Sequence, residues 1–365
     1  MITKATKGTI TVVIIDDSAF MRKALTMMLE SDPQIKVVAT AGDGREGIEK
    51  ILQYKPSLVT LDLEMPGMDG LTALGIIMRD MPLPVLVVSS LTREGSQVTL
   101  DALNLGAVDF IPKELSYVSL DIVKIKDELV SKVRHIVENQ SFSMKIQRNG
   151  IPRFPLQSKK PRASPGLPRN RKSQETDYRV VTIGISTGGP FALLHTIPTL
   201  PADFPLGIAI VQHMPPHFTR TLAERLDSVS RLHVKEAEDG EKIDAGIVLI
   251  APGGNHLTFR RDAAGVRTIV SVEPLNSMYR PSADLLMESA AQSFEGPIIG
   301  VIMTGMGKDG LEGLRVIKKR GGYVIAQDEA SSVVYGMPKA AVNDGIADEV
   351  IPLEEIPAAL VQLVS

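Results

Sequence analysis

Short apolar runs recur at 12–15, 36–41, 58–61, 85–88 and 108–111. Between them lie segments with apolar residues at helical spacing, such as Phe20, Ala24, Met27 and Met28. Strands that are apolar throughout, rather than alternating, are buried on both faces. Strands that alternate with helices build a parallel sheet. The same rhythm resumes at 180, with runs at 180–184, 207–212, 247–251, 298–304 and 323–326 and helical patterns at 217–227, 282–291, 311–319 and 338–343. The stretch 232–272 reads as short, antiparallel pieces, and 357–365 as a closing amphipathic helix.

Two such blocks call for two domains, which fits the 365-residue length. Between them, residues 145–172 carry five prolines, nine Lys/Arg and no Asp or Glu, without apolar periodicity. That composition is a linker. The overall net charge of −3 thus averages a basic tether and two acidic domains. The expected boundaries are 10–138, a basic Pro-rich linker at 139–178, and 179–365. No apolar run approaches the roughly 18 residues of a membrane span, and the first ten residues lack a signal-peptide pattern. A cytoplasmic protein without membrane insertion is expected.

Open α/β sheets place their sites at the C-terminal ends of strands. In the first block Asp16 and Asp17 follow the first run, Asp62 ends the third, and Lys113 follows the fifth. With the first strand beside the third, three carboxylates converge. Like charges that close call for a cation, and an oxygen-only donor set suits Mg²⁺. Lys113 then faces the site as a point charge for a phosphate.

In the second block the string Gly184-Ile185-Ser186-Thr187-Gly188-Gly189-Pro190 follows a strand and fits the G-x-S-x-G turn that exposes a serine hydroxyl. With no Cys in the chain, a thiol nucleophile or thiolate metal site is excluded. A serine nucleophile needs a base and an acid that orients it. Of six His, His213 at the end of a strand leads by position and His256 follows. His135, His195 and His233 read as surface or packing residues, and His217 begins a helix. Among many acids Asp309 is distinctive, because Thr304-Gly305-Met306-Gly307-Lys308-Asp309-Gly310 follows a buried strand.

The first block resembles the receiver domain of response regulators. That resemblance implies phosphorylation at Asp62, Mg²⁺ held by Asp16, Asp17, Asp62 and the Glu64 carbonyl, and a switch through Ser89, Phe110 and Lys113. In that switch Ser89 bonds the phosphoryl oxygens and Phe110 then turns inward. One departure is that Pro112 precedes the lysine and Glu114 follows it, where the family has proline after it. In the second block GISTGGP, QHMPP, APGGNH, YRPSAD and TGMGKDG occur in order. Together with the receiver they resemble the chemotaxis protein-glutamate methylesterase (CheB) family.

The family resemblance implies a flavodoxin-like (βα)5 receiver and a doubly wound α/β methylesterase domain with a mostly parallel sheet. It implies a triad of Ser186, His213 and Asp309 and an oxyanion site that uses the Met306 N–H. Thr187, His256, Arg280 and Ser282 fall in motifs that line the cleft. The implied activity is hydrolysis of glutamate γ-methyl esters on chemoreceptor cytoplasmic helices, with deamidation of specific glutamines and no cofactor at that site. A chemotaxis histidine kinase is the implied phosphodonor, and the receiver is expected to block the cleft until phosphorylated. Three other readings are weaker. A nucleic-acid-binding output rests only on the basic linker, without aromatics or a helix-turn-helix. A non-catalytic docking module does not explain the intact Ser, His and Asp. A non-chemotactic methylated substrate depends on cleft shape.

Overall fold

A computed structural model describes residues 8–113, 121–138 and 178–365. The expected linker lies outside the described residues except at its C-terminal end, and so does Glu114. The chain divides into two compact units, 1–151 and 152–365.

The first unit alternates β1 (Ile10–Ile15), α1 (Ala19–Leu29), β2 (Ile35–Ala41), α2 (Gly44–Tyr54), β3 (Leu58–Asp62), α3 (Gly70–Asp80), β4 (Val85–Ser89), α4 (Arg93–Asn104), β5 (Asp109–Pro112) and α5 (Asp121–Glu138). The strands are parallel in the order β2-β1-β3-β4-β5. This is the flavodoxin-like order, with its switch point between β1 and β3. Every residue of β3 and β4 is buried, as continuous apolar runs require. Pro112 pairs with Ser89 on the edge strand, where a missing N–H is tolerated.

One face assignment needs correcting. Phe20 and Met27 are exposed, at 46% and 68%. The buried stripe of α1 is Met21, Leu25, Met28 and Leu29, which packs in the core with Leu129, Val133 and Ile136 of α5. Both stripes have helical period, so spacing identified the helix but not its inner face.

The second unit contains β6 (Val180–Ile185), α6 (Gly189–Thr196), β7 (Gly207–Gln212), α7 (Phe218–Val229), β8 (His233–Glu236), β9 (Ile247–Ile250), β10 (His256–Asp262), β11 (Gly265–Ser271), α8 (Ala283–Ser293), β12 (Ile299–Ile302), α9 (Leu311–Lys319), β13 (Tyr323–Gln327), α10 (Met337–Asn343), β14 (Glu349–Ile351) and α11 (Ile356–Leu363). Seven strands form a parallel sheet in the order β14-β13-β12-β6-β7-β9-β8. The order reverses between β6 and β12, so the crevice lies at their C-terminal ends. All of β6 and β7 is buried, which means both faces are covered.

Two details differ from the sequence expectation. Within 232–272 only β10 and β11 are antiparallel; β8 runs parallel to β9. The run at 298–304 stops as a strand at Ile302. Thr304 turns out of the ladder because its N–H donates to the Gln327 side chain, at 2.8 Å, and its hydroxyl to the Thr187 carbonyl, at 2.9 Å. Among the described residues no helix is long and apolar enough to cross a membrane.

Candidate functional site

Parallel register builds both sites. In the first unit Ile15 pairs with Leu61, so Asp16 and Asp62 stand side by side one step beyond the pair. Carboxylate oxygens of Asp16, Asp17 and Asp62 lie within 4.8 Å of one another. Asp16 and Asp62 are buried and Asp17 is exposed. Burial, and then the charge of Asp62, pushes the Asp16 carboxyl up to about 6. Burial also raises Asp62, although Lys113 opposes the rise. The Lys113 ammonium sits 2.5 Å from Asp62 Oδ2 and 3.9 Å from Asp16 Oδ2. The Glu64 N–H donates to Asp62 Oδ1 at 3.0 Å. Hard oxygen donors crowded until burial and mutual repulsion disfavour their charge fit a small divalent cation.

Ser89 and Phe110 of the switch are both engaged inside the first unit. Ser89 is buried and engaged with α4: it accepts from the Thr99 hydroxyl and donates to the Gly95 carbonyl at 3.3 Å. Phe110 is already inward, only 4% exposed. Beside it stands Lys132 on α5, which the sequence reading passed over. Its ammonium donates to the Phe110 carbonyl at 2.8 Å, lies 5.6 Å from that ring's centre, and pairs with Asp109 at 2.9 Å.

In the second unit Ile185 pairs with Gln212, so Ser186 and His213 follow neighbouring strands one step beyond a paired position. The His213 N–H donates to the Ile185 carbonyl at 3.1 Å. Buried Gln212 clamps this corner: its amide donates to the Ser186 carbonyl at 2.9 Å and the His213 carbonyl at 3.3 Å. The loop after β12 closes on the serine from the other side. The Ser186 N–H donates to the Thr304 carbonyl at 3.0 Å. A side chain at Gly305 would lie 2.8 Å from Ser186 Cβ, so glycine is what lets this backbone approach. Met306 follows Gly305, and buried Thr187 accepts the Thr304 hydroxyl through its carbonyl.

Asp309 meets His213. His213 Nε2 and Asp309 Oδ2 are 2.8 Å apart. Three further donors hold this carboxylate, all from the start of α8: the Ala283 N–H at 2.6 Å, the Ser282 hydroxyl at 2.9 Å and the Asp284 N–H at 3.2 Å. Burial alone would raise Asp309, but the bond from His213 and these N–H groups outweigh it and hold the carboxyl at about 2. Ser282 therefore has a definite place: it supports Asp309 and caps α8. Asp309 caps α8 in space rather than α9, whose N-cap is Gly310 with no side-chain bond.

The remaining histidines are accounted for. No hydrogen bond joins His256 to an acid among the described residues; burial holds it below the ordinary histidine range. His135 and His195 bond backbone carbonyls of their own helices, and His233 bonds Asp227 at 3.0 Å on the surface. His217 begins α7. Arg280 donates to the Leu275 carbonyl at 3.1 Å.

Asp284 was not read from sequence. Burial, followed by the charge of Asp309, pushes it up to about 6, against the N–H bond from Gly313. In the unfolded chain it loses its proton near the ordinary 3.8. Folding therefore favours the protonated form, and stability falls as pH rises from about 4 through 6. Asp284→Asn is expected to be about 1–2 kcal/mol more stable than the parent at pH 8, after allowance for partial exposure. Urea unfolding at both ends of the range checks this, because the advantage should vanish below about pH 4.

Comparison with known proteins follows the same division. Residues 181–360 match the model of the CheB methylesterase family, and residues 12–122 match that of the response regulator receiver domain. A protein from Nitratidesulfovibrio vulgaris named protein-glutamate methylesterase/protein-glutamine glutaminase 2 is 50% identical over 96% of this chain and 98% of its own length. A Pyrococcus horikoshii protein named protein-glutamate methylesterase/protein-glutamine glutaminase is 43% identical over 97% of this chain and 94% of its own length. The crystal structure of the Thermotoga maritima CheB methylesterase catalytic domain is 47% identical, with a TM-score of 0.50, covering 51% of this chain and 98% of that one. The chain belongs to the CheB methylesterase family, with a response regulator receiver domain ahead of the methylesterase domain.

Proposed function

We propose that this protein is a phosphorylation-activated esterase that hydrolyses glutamate γ-methyl esters on the cytoplasmic helices of chemoreceptors and deamidates glutamines there. It would then work on the cytoplasmic side of the membrane. The observation that carries the reading is the 2.8 Å His213–Asp309 pair beside the Ser186 turn, at the switch point of a parallel sheet.

Asp309, ionised well below neutral pH, is only an acceptor, so His213 Nε2 carries the hydrogen. That leaves the Nδ1 lone pair as the base. Ser186 Oγ attacks the ester carbonyl while its proton passes to His213 Nδ1. The oxyanion forms beside the Met306 N–H. The tetrahedral species collapses, the C–OCH3 bond breaks, and the same proton leaves with methoxide as methanol. Water then attacks the acyl-serine and gives a proton to Nδ1; the C–Oγ bond breaks, Nδ1 returns that proton to Ser186 Oγ, and glutamate is released. With a glutamine substrate the leaving group is ammonia.

In the receiver, Asp62 is the phosphoacceptor and a chemotaxis histidine kinase the donor. Asp16, Asp17 and Asp62, with the Glu64 carbonyl, would hold Mg²⁺, which supplies positive charge to phosphoryl oxygens when bound. Lys113 pairs with the phosphoryl group, and Ser89 leaves Thr99 to bond it. The added charge of about −1.5 to −2 then biases α4 and β5 and relieves the receiver's block on the esterase.

Methanol release from radiolabelled methylated receptor membranes tests the reading. The parent should accelerate about 5- to 150-fold with a small-molecule phosphodonor, and Asp62→Asn should not accelerate at all. Acceleration of Asp62→Asn to the parent level removes Asp62 from the mechanism; no methanol release by the parent removes the activity itself.

A further inference from the structure

The hydrogen bond from Nε2 to Asp309 holds one corner of the His213 ring. A single bond at one ring nitrogen leaves the imidazole free to pivot about that contact, and the pivot swings Nδ1. The main-chain bond to Ile185 fixes the Cα and not the ring. Something must set the plane. The aromatic ring of Tyr279 lies flat against the imidazole, with centroids 4.6 Å apart and planes 3° from parallel. That is an offset stack, the favoured face-to-face arrangement.

The platform is itself anchored at both ends. The Tyr279 carbonyl accepts from the Ser277 hydroxyl at 2.9 Å, and the next residue, Arg280, reaches back to the Leu275 carbonyl. Three residues beyond Tyr279, Ser282 bonds Asp309. The ring that stacks on the base and the hydroxyl that holds the acid thus belong to one short segment. At its far end the Tyr279 hydroxyl lies over Gly307. A Cβ built there would be 2.8 Å from Tyr279 Oη, and the Gly307 φ of +83° also suits glycine.

We propose that Tyr279 is a positioning residue for the esterase reaction: its ring clamps the His213 imidazole flat, so that Nδ1 stays aimed at Ser186 while Nε2 stays on Asp309. This rests on His213 being the base. The flat face serves both states of the ring, stacking on neutral imidazole and lying over imidazolium as a cation–π partner. Gly307 keeps the platform in place by leaving room for the hydroxyl end. Because the clamp acts on orientation at the reacting atom, its loss falls on kcat rather than on KM.

The test uses the full chain and three variants. Tyr279→Leu keeps apolar bulk without a ring, Tyr279→Phe keeps the ring without the hydroxyl, and Gly307→Ala pushes the hydroxyl end without touching Tyr279. In methanol release from methylated receptor membranes, Tyr279→Leu should lose about 10- to 100-fold in kcat with KM unchanged. Tyr279→Phe should stay within about threefold of the parent, and Gly307→Ala should fall between them. In NMR spectra of histidine-labelled protein, the ring C–H signals of His213, assigned with His213→Gln, should carry an upfield ring-current shift. The shift should persist in Tyr279→Phe and vanish in Tyr279→Leu, with the other five histidines unmoved, which reports an intact fold. Three results overturn the proposal: a Tyr279→Leu kcat equal to the parent's, a Tyr279→Phe defect as deep as that of Tyr279→Leu, or no ring-current shift in the parent. His213→Gln separates this from the underlying reading. If it stays active, His213 is not the base; if it is inactive while Tyr279→Leu is not, only the clamp fails.

Discussion

In a Ser186→Ala variant, methanol release from methylated receptor membranes falls by about 10⁵-fold or more, the scale seen when a serine nucleophile is removed from a triad. The fold should survive the change. Ser186 makes its hydrogen bonds through the backbone: its N–H to the Thr304 carbonyl, and its carbonyl from the Gly189 N–H and the Gln212 amide. Alanine keeps all three. The receiver is untouched, so Asp62 should take up phosphate from a phosphodonor at the parent rate. Methanol release within about 100-fold of the parent would remove Ser186 as the nucleophile.

The second large effect is expected at Asp309. Asp309→Ala should lower kcat by about 10⁴-fold, the scale for losing the acid of a triad. It removes the one acceptor that keeps hydrogen on His213 Nε2 and the lone pair on Nδ1. It should also cost about 2–3 kcal/mol of stability, because the Ala283 and Asp284 N–H groups at the head of α8 lose their acceptor. Asparagine is no true substitute. Four groups point at Asp309, and an amide has one acceptor oxygen, so either orientation sets an NH2 against an N–H of α8. Rates and urea unfolding measured on the same preparations separate the two effects. A stability loss with kcat retained would leave Asp309 as a helix cap and no more.

Much of both sites was legible because strand ends carry them. A βα rhythm implies parallel strands, and parallel strands bring residues that end neighbouring runs to one edge. Asp16 beside Asp62, and Ser186 beside His213, follow from that rule once neighbours are known. Ser282 was legible only as part of a cleft motif, and the support that Tyr279, Ser282 and Asp284 give the site was not legible at all. Tyr279, Ser282 and Asp284 sit on no strand end; they reach the site because a loop and the first turn of α8 fold over it. Lys132 belongs to an amphipathic helix on which a buried lysine looks like any surface lysine until Asp109 and the Phe110 carbonyl are seen around it. β14 escaped notice because a three-residue edge strand buries too little to leave a pattern.

The sequence alone determined the two-block α/β architecture, the serine on its glycine-flanked turn, the acids at the ends of the apolar runs and the basic tether between blocks. Each is a local property of period, turn chemistry or charge. Position along the chain left open which histidine meets which acid; the family resemblance named His213 and Asp309, and only the tertiary structure shows the two side chains in contact. His256 and His213 both stood at plausible positions, and Asp309 was one acid of many. The register of β6 with β7, and the return of the chain after β12, set His213 against Asp309 at 2.8 Å and left His256 without an acid among the described residues. The choice turns on contacts between residues 96 positions apart in the chain, and no local pattern encodes a separation of that kind.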